Sequence, residues 1–218
     1  MSDEANELPV FPTSAPAVFC DPDVTSGMFT EVLDRLAAVV DVDIDQLQNP
    51  TPCTGFTVGE LRTHVLGWLQ FFAAALLDPA ATSPRPDPQT FTLADAQQAS
   101  DVVKRAEVDI HRAIATDTAG QMITMSSSRM AGDGVLAMAL GEYIIHAWDL
   151  AAATGRPYSV PDTAVKPAHE FLQHMVAPEY RGPDSDFFGE EVPVPDNASL
   201  LDKLLGFAGR DPLWSPTE

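Results

Sequence analysis

Residues 134–155 read GVLAMALGEYIIHAWDLAAATG. Val135, Leu136, Met138, Leu140, Ile144, Ile145, Trp148 and Leu150 leave little polar surface on any side of a helix, and a helix that is apolar nearly all round is buried. The spacing predicts a helix over Gly134–Thr154, closed by Gly155 as a left-handed C-cap with Pro157 just beyond. Into this apolar helix the sequence inserts Glu142 and His146. Four residues turn a helix by about 400°, so the two side chains point the same way, one turn apart. A buried face rarely carries two ionisable groups unless they are paired or hold a metal. An unpaired buried carboxylate costs several kcal/mol or takes up a proton, and a metal ion removes that cost by supplying positive charge.

Working outward, three more long segments carry helical periodicity. From Asp23 to about Val42, Met28, Val32, Leu33, Leu36, Val39 and Val40 recur at three- and four-residue intervals. Thr57-Val58-Gly59-Glu60 fits a capping box, so a helix is expected from there to about Leu77, with Leu61, His64, Val65, Trp68, Phe71 and Phe72 on one wide face. A third helix is expected from Leu93 to about Ala115, with Ala96, Ala99, Val102, Val103, Ala106, Ile110 and Ile114 inward. Shorter helices are expected near Thr163–Val176 and Ala198–Phe207, and Gln121–Ser126 has β-like character. Four long amphipathic or apolar helices joined by moderate loops define an all-α bundle with a short β-like arm and extra C-terminal helices. The expected organisation is a loose, proline-rich N-terminal arm (1–22), a helix bundle (23–177) and a C-terminal extension packing on it (178–218).

A bundle builds sites from inward side chains on facing helices. His64 lies on the apolar face of the second helix, so His64, Glu142 and His146 together can offer two nitrogens and one oxygen to a zinc-type ion, with one position open. Against this stands the plainer reading of each residue. A lone histidine on an apolar face is usually packed or hydrogen-bonded, and an i, i+4 Glu–His pair on a solvated face is worth a few tenths of a kcal/mol. Asp149, three residues after His146, is either the carboxylate that takes a ligating histidine's other ring proton or a helix-stabilising aspartate. His111, His169 and His174 lack partners at ligand spacing and read as structural or surface residues. Cys53, just before the capped helix, reads as a small buried hydrophobe, although a helix N-terminus would lower its thiol pKa. Arg129, in the linker before the fourth helix, is a candidate contact for an anionic substrate.

Composition narrows the function class. Lys and Arg number 12 against 32 Asp and Glu, a formal net charge of -20. Such a surface repels phosphate backbones and anionic lipid, so neither nucleic acid nor membrane is an expected partner. Two cysteines make no disulfide framework and fit a reduced, cytoplasmic protein, as a monomer or homodimer. The first twenty residues hold no Lys or Arg and no continuous apolar core, so no secretory signal is expected.

Three stretches resemble one actinobacterial family. Thr51-Pro52-Cys53-Thr54-Gly55-Phe56-Thr57-Val58, followed by Leu61 and His64, is similar to its opening pattern, with Phe56 where tryptophan is usual. Glu142 to Gly155 resembles its central E-x-x-x-H-A-W-D-L-A-x-A-T-G signature, and Leu204 to Pro212 its L-L-x-x-x-G-R-D-P ending, a marker without evident chemistry. The family is related to the metal-binding N-terminal domain of mycothiol-dependent maleylpyruvate isomerase, within the DinB-like four-helix bundles that include several thiol S-transferases. By position, the resemblance implies His64, Glu142 and His146 as metal ligands, zinc or another divalent ion such as nickel as cofactor, and mycothiol as a co-substrate. The segment from Pro178 onward does not resemble the isomerase's separate C-terminal domain, so maleylpyruvate isomerisation itself is not implied. The expected function is a thiol-dependent transferase or isomerase acting on an electrophilic small molecule. The residues leave two alternatives open: a non-catalytic metal- or ligand-binding bundle, and a zinc-dependent hydrolase.

Overall fold

The computed structural model describes residue 10 and residues 14–93, 98–182 and 188–216. Helix α1 spans Pro22–Val40, with the Asp21 carboxylate accepting from the amides of Asp23 and Val24 and Pro22 in the first turn, where its missing N–H is harmless. Helix α2, Val58–Leu77, opens on the expected capping box: Thr57 Oγ1 accepts from the Glu60 amide, and the Glu60 carboxylate accepts from the Thr57 amide. The hydrogen bonds to Thr57 hold the exposed Glu60 carboxyl below its ordinary pKa. Helix α4, Gly132–Ala153, ends at Gly155, which takes φ +67° while the Arg156 amide reaches back to the Ala151 carbonyl. It is long and apolar enough to cross a membrane by composition, but most of its surface is buried inside the bundle.

Helix α3, Ala99–Ala115, is shorter than its periodicity predicts. Leu93 lies outside it, and Ala96 lies outside the described residues. Its first turn has no local side-chain cap. Asp41, just past the end of α1, supplies one instead: its Oδ1 accepts from the amides of Ala99 (2.7 Å) and Ser100 (3.3 Å). A cap delivered from another helix leaves no signal in the local sequence. The β-like segment is a hairpin of β1 (Met122–Thr124) and β2 (Arg129–Ala131), antiparallel, with Met122 facing Ala131 and Thr124 facing Arg129. Part of the stretch expected as a loose arm is packed: Ala17–Cys20 form a 3-10 turn and Phe19 is buried.

The four long helices make one core. α1 packs on α3 and α4, and α2 packs on the same two. α5 (Asp162–Met175) lies on α4, and α6 (Leu200–Phe207) lies on α5. Tyr143 of α4 sits at the centre, fully buried, with Phe29 of α1 and Phe72 of α2 edge-on at 6.4 and 6.5 Å between ring centroids. This packing sets α2 beside α4, so that His64 faces the Glu142–His146 turn.

Candidate metal centre

His64, Glu142 and His146 converge, with one ligand-type atom of each within 4.8 Å of the others. Glu142 Oε1 lies 3.1 Å from His146 Nε2 and 3.4 Å from His64 Nε2, and the two imidazole rings stand edge to face at 5.4 Å. The side chains of His64 and Glu142 are 29% and 30% exposed, so the cluster opens to solvent on one side. Phe56 and Trp68 border it, at 5.1 and 6.4 Å from the His64 ring. Trp68 follows His64 by one turn of α2, and Phe56 comes from the loop before the helix.

The other side of His146 is closed. Its Nδ1 lies 3.0 Å from Asp149 Oδ2, and Asp149 has no exposed surface. Arg210, from the segment after α6, meets the same carboxylate, Nη2 at 3.2 Å from Oδ2 and Nε at 3.4 Å from Oδ1. Arg210 Nη1 also donates to the Ala208 carbonyl at 2.8 Å, and Nη2 to Cys53 Sγ at 2.9 Å. A carboxylate paired with a guanidinium accepts hydrogen bonds and donates none, so the proton of the neutral His146 ring sits on Nδ1 and the Nε2 lone pair faces the open cluster.

Electrostatics follow the same division. Burial opposes ionisation of Glu142, but His146 and His64 outweigh it and hold the carboxyl well below the usual carboxylate range. Burial likewise opposes charge on His146, and the carboxylates of Glu142 and Asp149 overcome it, raising the imidazole to about 9. Burial pushes the Cys53 thiol up to about 12 despite Arg210, the reverse of the lowering expected at a helix N-terminus. Cys53, His146 and Asp149 also lie within ligand reach of one another. The Arg210 guanidinium already contacts both Sγ and the carboxylate, so this side holds its cation covalently.

The structure therefore brings together His64, Glu142 and His146, and adds Asp149 directly to His146. It does not bring in Arg129: Glu142 lies nearly three turns into α4, roughly 15 Å from the hairpin at 1.5 Å per residue. Of the other histidines, His111 does have a partner, contrary to the reading of its spacing: Glu107, one turn earlier, lies 3.4 Å from its Nε2, with Thr30 Oγ1 at 3.0 Å; His169 lies tilted against Phe207, and His174 is exposed. Sequence reasoning missed Arg210 and the polar company of Cys53. Both sit in motifs quoted above, but only as markers, because no periodicity relates residues 53, 149 and 210.

A helix bundle with a three-residue His/Glu/His cluster opening to solvent defines the class. The chain belongs to the family of the mycothiol maleylpyruvate isomerase N-terminal domain, which it matches over residues 29–151. It is 32% identical over 181 residues to an uncharacterised protein of Mycobacterium tuberculosis known from two strains, covering 81% of this chain and 92% of that protein. Among solved structures it is similar to a DinB-like protein from Bacillus subtilis, at 15% identity and a TM-score of 0.47 over 64% of this chain and 96% of that one. It is also similar to mycothiol-dependent maleylpyruvate isomerase, at 13% identity and a TM-score of 0.45 over 66% of each chain.

Proposed function

We propose that the bundle, residues 23–177 with the 178–218 extension packed on it, holds one divalent metal ion, best zinc, at His64, Glu142 and His146. On this reading the protein is a thiol-dependent transferase or isomerase for an electrophilic small molecule, working in a reducing cytoplasmic setting. The observation that carries the proposal is the donor set itself. Two ring nitrogens and one carboxylate oxygen, the atom types zinc takes, converge within reach of a single ion. Ligands about 2.0–2.2 Å from a tetrahedral zinc stand roughly 3.3–3.6 Å apart, within a few tenths of an ångström of the 3.1 and 3.4 Å between Glu142 and the two imidazoles. Three protein ligands with an open side are the pattern of catalytic rather than structural zinc.

The chain's own groups supply positioning. Asp149 keeps the proton on His146 Nδ1 and so keeps Nε2 available. Glu142 contributes the negative charge that favours a cation over a proton pair. Phe56 and Trp68 give the open side an apolar rim that packs against an uncharged portion of a substrate. When bound, a divalent ion lowers the pKa of a thiol or water sharing its open position toward neutrality or below. Membership of a family named for a mycothiol-dependent isomerase favours thiol over water as the activated group.

Elemental analysis of the purified protein beside His64→Ala and His146→Ala tests the site. One equivalent of metal in wild type and a loss in both variants is expected; wild type without metal, or variants that retain it, overturns the proposal. Metal-dependent consumption of mycothiol with a panel of electrophiles tests the chemistry, and no consumption across the panel overturns the enzymatic part.

A further inference from the structure

The C-terminal segment reaches the bundle at one buried charge. Two residues past α6, Gly209 adopts φ +80°, with the Gly209 amide donating to the Gly206 carbonyl and the Arg210 amide to the Leu205 carbonyl. A left-handed residue at this place turns the chain back, and glycine takes that conformation without a Cβ penalty. A Cβ at Gly209 would lie 3.0 Å from Gly189 Cα and 3.1 Å from the Glu190 carbonyl oxygen, so this turn also needs the space. The turn delivers Arg210 into the interior, where its side chain is 8% exposed against a fully buried Asp149. Asp211 then closes the next turn by accepting from the Leu213 amide. On the opposite side, Thr51 Oγ1 donates to the carbonyls of Cys53 and Phe56, shaping the loop that sets Cys53 Sγ against Arg210 Nη2. Arg210 thus joins its own segment and the Cys53 loop to the one carboxylate of α4 that touches His146.

We propose that Arg210 is a positioning residue for the metal centre, acting through Asp149 on His146, so that metal occupancy and docking of residues 200–210 are coupled. The inference rests on the metal reading of His64, Glu142 and His146. A bidentate guanidinium holds the Asp149 carboxylate in one orientation, and that carboxylate fixes both the ring plane and the tautomer of His146. Without Arg210, the Asp149 carboxylate keeps one partner and is free to rotate, and Nε2 loses its fixed direction. Outer partners of this kind are worth about 10–100-fold in metal affinity. Coupling between two equilibria is reciprocal, so bound metal should hold the docked segment more firmly by the same factor.

The test is Co2+ affinity of the full chain by chelator competition, with the visible absorption of the bound cobalt recorded alongside. Arg210→Gln is expected to weaken Co2+ binding about 10–100-fold and to alter the cobalt spectrum, while Arg210→Lys recovers part of the affinity because it keeps the charge without the fork. Val103→Ala, a core change in α3 away from the site, should lower thermal stability and leave Co2+ affinity unchanged, which separates positioning from general loosening. Amide exchange supplies the second readout: saturating Co2+ should slow exchange of residues 204–210 in wild type and much less in Arg210→Gln. Wild-type affinity and spectrum in Arg210→Gln, or equal slowing in both proteins, overturns the inference. Wild type that binds no Co2+ instead overturns the metal reading beneath it.

Discussion

The two edges of the His146 ring live in different worlds. On the Nε2 edge, His64 and Glu142 come from regular helices, are roughly one-third exposed, and set one carboxylate between two imidazoles. On the Nδ1 edge, Asp149, Arg210 and Cys53 come from a helix and two loops, are largely buried, and carry a negative and a positive charge that balance. One edge balances its carboxylate with imidazole alone, and the other balances its own with a permanent guanidinium. A single imidazole joins them, so a solvent-facing cluster stands on a rigid support without either group of charges being left unpaired. Exposure allows the open edge to survive as protons and water exchange there, while burial makes the closed edge intolerant of losing a partner.

The sharpest way to break this contrast is Asp149→Leu. It leaves the Arg210 guanidinium buried and unpaired, and should cost about 3–5 kcal/mol of stability in urea unfolding. Burial alone would strip charge from Arg210, but Asp149 more than offsets it, so the guanidinium stays charged in the fold. Adding Arg210→Met to Asp149→Leu should recover most of the loss, because a buried ion pair replaced as a pair by apolar groups is close to neutral. A cost near zero for the single change would mean the closed edge is not a buried pair.

Glu142→Gln addresses the open edge. It should change metal-free stability by less than about 1 kcal/mol, since the group is partly solvated. Metal affinity should fall by more than the 10–100-fold expected for an outer partner, as measured by chelator competition. Equal effects of the Glu142 and Asp149 substitutions on metal-free stability would erase the distinction between the edges.

Gly209→Ala strains the turn that aims Arg210. At φ +80° and with Gly189 Cα 3.0 Å from the new Cβ, a loss of about 1–3 kcal/mol is expected in thermal unfolding. Cys53→Ala should have the smallest effect. It removes a hydrogen bond from Arg210, about 1 kcal/mol, and should leave the metal-to-protein ratio of the wild type intact. A fall in that ratio would make Cys53 a ligand and would join the two edges into one site.

Much of the open edge is legible in the amino-acid sequence. The apolar run around Glu142 and His146, the i, i+4 spacing and the Thr57–Glu60 box are all local, and each formed as its spacing required. The first strand of the hairpin after α3 and the Gly155 stop were legible for the same reason, whereas the second strand, Arg129–Ala131, falls in a stretch that reads as linker. The closed edge was legible only in part. Three-residue spacing offers Asp149 as the carboxylate on His146 as well as an ordinary helix residue, but Cys53 reads as a filler and the Gly209-Arg210-Asp211-Pro212 ending as a marker. Their meaning depends on residues 61 positions apart or more meeting at one carboxylate. The start of α3 shows the same limit, since Asp41 caps it from the end of another helix.

The amino-acid sequence by itself determined that this chain is a helix bundle and where its unusual ionisable pair sits, because periodicity, capping and burial are consequences of residues a few positions apart. Only the tertiary structure decided that His64 faces that pair, that Arg129 stays away from it, and that Asp149 is braced by Arg210. Those outcomes depend on which helices pack together and where a left-handed turn sends the chain, and both are set by the summed packing of the whole molecule rather than by any one segment.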